Sequence, residues 1–256
     1  MDNFHVPEGG ESAIFGRRLN PTDRRNFLKW SGTAAATALL AACDRTPTEP
    51  DTELAPSQAG TAATGGGGVT IDLGNDFGIL NFAYALEQLE AAFYIQVIAN
   101  LYSGATSEEE SILRDLKRHE VVHREFFQAA LGGAAIPGLE VDFSSIHFDS
   151  RFSVLRAALI FEDTGVGAYN GAAQFLRNGD YLEVAGKIVS VEARHAAAIR
   201  DVFGRSFAPQ AFDPAFTFEQ VLRRADPFIT TPITLANSPT AGHAGAQVRE
   251  EEEMVS

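Results

Sequence analysis

Residues 81–94 read NFAYALEQLEAAFY, and residues 159–175 read LIFEDTGVGAYNGAAQF. In each stretch a glutamate set in an apolar helical pattern, Glu87 or Glu162, stands seven positions before a tyrosine, Tyr94 or Tyr169. Seven helical residues turn through about 700°, so glutamate and tyrosine lie about 20° apart on one face. About 30 residues after each glutamate comes the order Glu-x-x-His, as Glu120 with His123 and as Glu192 with His195. The members of such a pair are about 60° apart on a helix and can reach one point. The chain therefore writes one scheme twice.

Helical periodicity surrounds both copies. Phe77, Leu80, Tyr84, Leu86, Leu89, Phe93, Val97 and Leu101 predict a long amphipathic helix from Asn75 to about Ser103. Thr106 with Glu109, or Ser107 with Glu110, is a capping-box signal for a second helix, which Gly132 and Gly133 stop. The connection from Gly132 to about Asp149 is longer than a helical hairpin needs and is expected to cross the bundle. A third helix is predicted from Arg151 to about Arg177, and a fourth, capped by Asp180, runs to Gly204. Phe218 to Arg224 reads as a short helix and Asp226 to Pro232 as a strap whose Phe228 and Ile229 dock on the bundle. The fold class is all-α: a four-helix bundle with one long crossover and a short C-terminal helix and strap.

Two antiparallel hairpins bring the two schemes to one height on the bundle axis. One Glu from each of two helices plus a Glu-x-x-His from each of the other two is the set that builds a carboxylate-bridged pair of metal ions. Four carboxylates aimed at one interior repel strongly unless cations or protons neutralise them. Glu90 shares the first helix's stripe with Glu87 and is the alternative ligand that would replace or supplement it; the spacing of Glu87 to Tyr94 matches that of Glu162 to Tyr169 and favours Glu87. Tyr94 and Tyr169, with Glu90, are expected around the ligands rather than as redox partners. His119, about 100° from Glu120, is expected on the surface; His5, His147 and His243 fall in signal, loop and tail.

On these residues the sequence resembles the ferritin-like superfamily, and NFAYALEQLEAAFY and LIFEDTGVGAYNGAAQF are similar to its branch that includes plant desiccation-related proteins. The resemblance covers about residues 72–232. It implies metal ligation by Glu87, Glu120 and His123 from one hairpin and by Glu162, Glu192 and His195 from the other. Glu120 and Glu192 would lean between the metals, Glu87 and Glu162 would be terminal, and each histidine would bind one ion. Two iron or two manganese ions, iron ahead of manganese, suit such ligands better than zinc.

The rest of the chain bounds where this happens. Of 256 residues 45% are hydrophobic and 21% charged, the profile of a globular protein. Lys plus Arg total 20 against 34 for Asp plus Glu, a formal charge of -14 that excludes nucleic acid as a natural partner. The segment DRRNFLKWSGTAAATALLAAC resembles a twin-arginine export signal carrying Arg24 and Arg25, and Leu40 to Cys43 resemble a lipobox that would lipidate Cys43. The apolar run from Trp30 to Ala42 is shorter than the roughly 20 residues of a membrane span. Residues 1–43 are thus read as signal, 44–71 as a flexible linker, 72–232 as the bundle and 233–256 as a disordered acidic tail.

The expected protein is exported, periplasmic or in the cell envelope, and held to a membrane by lipid, with a homodimer possible. Its metal pair would serve chemistry with oxygen or peroxide, as an oxidase or a manganese-catalase-like enzyme, or metal handling under stress. The alternative is a bundle that sequesters metal or uses it only for structure. The single cysteine, spent on the anchor, leaves none for a rubredoxin centre, and a tethered domain fits a closed iron-storage shell poorly.

Overall fold

Helix α1 (Asp76–Ala99) starts where Asn75 accepts a hydrogen bond from the backbone of Gly78. It is buried on nearly every side rather than along one stripe, because helices, crossover and strap all pack around it. The computed structural model describes residues 67–239. The signal, Cys43, most of the linker, His5, His243 and most of the acidic tail lie outside them.

Helix α2 (Ser107–Leu131) begins with a reciprocal capping box between Thr106 and Glu109 and ends at Gly132, whose φ of 52° suits glycine. Helix α3 (Arg151–Ala172) is capped by Ser150 and tightens into a 3₁₀ turn at Ala173–Phe175, a few residues before the expected end. Helix α4 (Gly179–Val202) starts two residues earlier than a cap at Asp180 would place it. Asn178 is its cap and accepts from the Asp180 backbone N–H. Helix α1 packs on α2 and α3 on α4, and the two hairpins face each other.

The crossover is held by polar groups of α1. Asn81 donates to the Ala134 carbonyl and accepts from Ile136 N–H, both at 2.8 Å. One heptad on, Gln88 accepts from Leu139 N–H at 2.8 Å. Most of the crossover is exposed or half-buried, and where its backbone turns onto α1 its part-buried groups still need partners, which Asn81 and Gln88 supply from the helix it crosses.

The C-terminal segment closes the other side. Helix α5 (Phe218–Ala225) has its own capping box at Thr217 and Gln220. Phe228 packs edge-on against Phe161 at 4.8 Å, and Ile229 bridges to Val141 of the crossover, so the strap docks as expected. At Gly171 an added Cβ would lie 1.8 Å from the Phe216 carbonyl oxygen, so only glycine lets the segment before α5 lie on α3.

Two short strands extend the fold past the expected bundle boundaries. β1 (Val69–Asp72) and β2 (Ile233–Ala236) pair in parallel, Val69 opposite Ile233 and Asp72 opposite Ala236. Residues 69–71 and 233–236 are therefore ordered, where the sequence reading had linker and tail. Val69, Ile71 and Leu73 face the core, and this alternation is too short to stand out in the sequence. Among the described residues no helix is long and apolar enough to cross a membrane.

Replacing Asn81 by alanine strands the Ile136 N–H and the Ala134 carbonyl beneath the crossover. The expected loss is about 1–3 kcal/mol of unfolding free energy, and an unchanged denaturation midpoint would show that the crossover is held by other means.

Candidate metal centre

The four helices carry their polar residues to one level. α1 supplies Glu87, α2 Glu120 and His123, α3 Glu162, and α4 Glu192 and His195. All four carboxylates are 0% exposed, and the two histidines are buried with them. The six residues expected from the sequence thus come together.

Their atoms sort into two groups. His123 Nδ1 lies 3.1 Å from Glu192 Oε1, 3.2 Å from Glu120 Oε2 and 3.4 Å from Glu87 Oε2. His195 Nδ1 lies 2.8 Å from Glu120 Oε1, 3.3 Å from Glu162 Oε2 and 3.7 Å from Glu192 Oε2. Glu120 and Glu192 therefore turn one oxygen to each histidine, while Glu87 and Glu162 each serve one group. In each group four ligand atoms lie within 4.8 Å of one another.

The tyrosines cross between the repeats. Tyr94 OH donates to Glu162 Oε1, and Tyr169 OH donates to Glu87 Oε1. Each glutamate is aimed by the tyrosine of the other copy, leaving its second oxygen free to face the cluster. In the sequence each tyrosine stood beside its own repeat's glutamate; the partner exchange arises because α1 and α3 face each other across the axis.

The donor set fits cations. Glu87 Oε2, Glu120 Oε1, Glu162 Oε2, both oxygens of Glu192 and His195 Nδ1 are fully buried without a hydrogen bond. Even the 2.8 Å contact of His195 with Glu120 lacks hydrogen-bond direction. Buried polar atoms are rarely left so, and their shared direction is toward a point between them. Oxygen-rich donors with two imidazole nitrogens suit iron or manganese.

Without a cation, protons must do the neutralising. Burial would lower the histidines, but the facing carboxylates win and push both His123 and His195 up to about 12. Burial raises Glu162 to about 8 against the pull of His195. It also raises Glu87 well above the ordinary range, with the charges of Glu192 and Glu120 adding to it against His123. Glu120 alone goes down, to about 2, because its contacts with both histidines overcome its burial.

Two neighbours break the repeat. Glu90 stands three residues after Glu87, where the second copy has Gly165. An added Cβ at Gly165 would lie 3.1 Å from Glu90 Oε1 and 3.4 Å from Glu192 Oε2, so the glycine leaves room for both carboxylates. Glu90 is buried beside the cluster but belongs to neither ligand group. Burial and the charges of Glu192, Glu120, Glu87 and Glu162 raise it well above the ordinary range.

His119 is on the surface as expected, yet its ring turns inward to meet that of His195 edge to edge, nearly coplanar, with centroids 5.1 Å apart. Its Nδ1 lies 2.8 Å from His195 Nε2. His119, Glu120 and His123 also spell His-Glu-x-x-His, the order of a zinc-hydrolase helix. Among the described residues no ligand group contains His119, so the two histidines do not converge as that motif requires. The link from His119 to His195 went unread because it joins residues of different hairpins.

Comparison with known families gives two matches. Residues 75–205 match the sequence profile described as the ferritin-like domain, and residues 21–41 match that of the twin-arginine translocation pathway signal sequence. No curated protein matches the chain.

The proton inventory sets a pH dependence. Glu87 and Glu162 keep a proton in the folded state above their ordinary 4.5, and the histidines keep theirs above 6.5. The folded state then binds more protons than the unfolded, so stability falls as pH rises. Glu120 acts oppositely, losing its contribution as pH drops from 4.5 toward 2. In chelator the thermal midpoint should fall from pH 5 to pH 8, and added manganese should offset the fall; a midpoint that rises over this interval would contradict it.

Proposed function

Because this chain belongs to the ferritin-like domain family and carries a twin-arginine export signal, we propose that it is an exported protein binding a carboxylate-bridged pair of iron or manganese ions. The observation that carries the reading is the sharing of Glu120 and Glu192. Each offers one oxygen toward His123 and the other toward His195, around buried atoms that make no hydrogen bond. Glu87 and Glu162 complete the two groups as terminal ligands.

Iron or manganese bound here would supply redox chemistry toward oxygen or peroxide. Leu86, Leu89, Phe161 and Ala225 line an apolar cleft, together with Glu90, Thr164 and Arg224, that has room for about one water-sized molecule. Tyr94 and Tyr169 keep Glu162 and Glu87 aimed, and Glu90, its carboxyl raised by burial and by the charges around it, stands beside Glu192. The export signal and the Leu-Ala-Ala-Cys sequence at residues 40–43 support a place in the cell envelope, anchored through lipidated Cys43. The likeness to desiccation-related proteins supports a role under stress.

The test is metal content followed by turnover. The exported protein, loaded anaerobically with ferrous or manganous ion, should hold two metals per chain, and His195→Ala should hold one fewer. Peroxide challenge should release oxygen if the site disproportionates peroxide, whereas two metals with no reaction toward oxygen or peroxide would mark a sequestering or structural bundle. Failure to take up metal, or unchanged content in a His123→Ala, His195→Ala double variant, would overturn the proposal. Tyr169→Phe frees Glu87 and should weaken metal binding about 10–100-fold, the usual effect of losing a ligand's supporting hydrogen bond; equal affinity in a chelator competition would count against that role.

A further inference from the structure

We infer that His119 is a positioning residue that fixes the tautomer and ring orientation of His195 and makes the two metal positions unequal, the one at Glu162 and His195 being the tighter. The inference rests on the metal-binding reading of the site and goes beyond it by assigning an order to the two positions.

The geometry starts from which nitrogen faces the cluster. His195 Nδ1 points at Glu120, Glu162 and Glu192, so it must offer a lone pair to serve a cation, and the ring proton then resides on Nε2. That Nε2–H has one acceptor within reach, His119 Nδ1 at 2.8 Å. Accepting there places the proton of His119 on its own Nε2. The rings are parallel within 12°, which resists rotation of His195 about its side-chain bonds. An N–H donated away from the metal raises the basicity of a ligand imidazole and holds its plane.

The other position lacks this support. His119 directly precedes Glu120 on α2, and the equivalent residue before Glu192 on α4 is the half-buried Val191. Nothing among the described residues bonds to His123 Nε2; its contacts run through Nδ1 to Glu87, Glu120 and Glu192. Helix α2 thus lends its extra histidine across the bundle to the ligand of α4. One ligand imidazole is braced from behind and the other is not.

The test uses cobalt(II) as the probe and the full exported protein. Chelator competition should resolve a tight and a weak cobalt ion. His119→Leu should weaken the tight one about 10–100-fold while changing the weak one much less, and His119→Gln, which keeps an acceptor, should restore most of it. The paramagnetically shifted Nε2–H signal of His195 should exchange slowly with solvent in the unsubstituted protein, quickly in His119→Leu, and slowly again in His119→Gln. Melting curves of the metal-free variants separate a binding effect from a folding one, because His119→Gln keeps the acceptor that the buried His195 Nε2–H needs. Unchanged cobalt affinities in His119→Leu, equal weakening of both ions, or an Nε2–H signal indifferent to the substitution would overturn the inference and leave the metal reading standing. No cobalt binding by the unsubstituted protein would overturn both.

Discussion

Four buried carboxylates facing one another are the constraint around which the bundle is arranged. An isolated carboxylate in an apolar interior is too costly to keep ionised, and here four converge without an arginine or lysine among them. Two imidazoles and two tyrosine hydroxyls meet them, and the Glu90 carboxyl is buried alongside. The tyrosines satisfy the outer oxygens of Glu87 and Glu162, and what remains is turned inward and unsatisfied. The fold holds these residues at one height through long, well-capped helices, and the aromatic layer of Phe93, Phe143, Phe161 and Phe228 closes over one side.

The internal repeat explains both the economy of the site and its departures from symmetry. Glu87 and Glu162, Tyr94 and Tyr169, and the two Glu-x-x-His pairs occupy equivalent places, and the tyrosine exchange ties the halves together at their centre. Symmetry fails at two positions, where Glu90 answers Gly165 and His119 answers Val191. Both departures touch the cluster: Glu90 fills the space that Gly165 leaves next to Glu192, and His119 backs His195. Both exceptions stand next to residues of α4, Glu90 by Glu192 and His119 by His195.

Helix number, order and approximate ends were legible because each helix carries its own period and caps, which are local properties of the chain. Departures came where a residue's role is set by something distant. Asn178 caps α4 although Asp180 looked the better candidate, since the tightening of α3 into a 3₁₀ turn brings the chain around early. Asn81 and Gln88 stand within an apolar helical pattern that says nothing of their role, which is visible only once the crossover lies over them. The β1–β2 pair joins residues more than 160 positions apart with four residues a side, too little alternation for either strand to announce itself.

The sequence by itself determined the residue types of the buried cluster, their spacing and their doubling, because helical geometry converts separation along the chain directly into direction around an axis. It also determined the export signal, which is read as linear sequence. Only the tertiary structure decided which oxygen faces which histidine, that each tyrosine serves the other repeat's glutamate, and that His119 reaches His195. These depend on how two hairpins dock, and the docking is set by the packing of side chains from all four helices at once, a quantity that no local spacing contains.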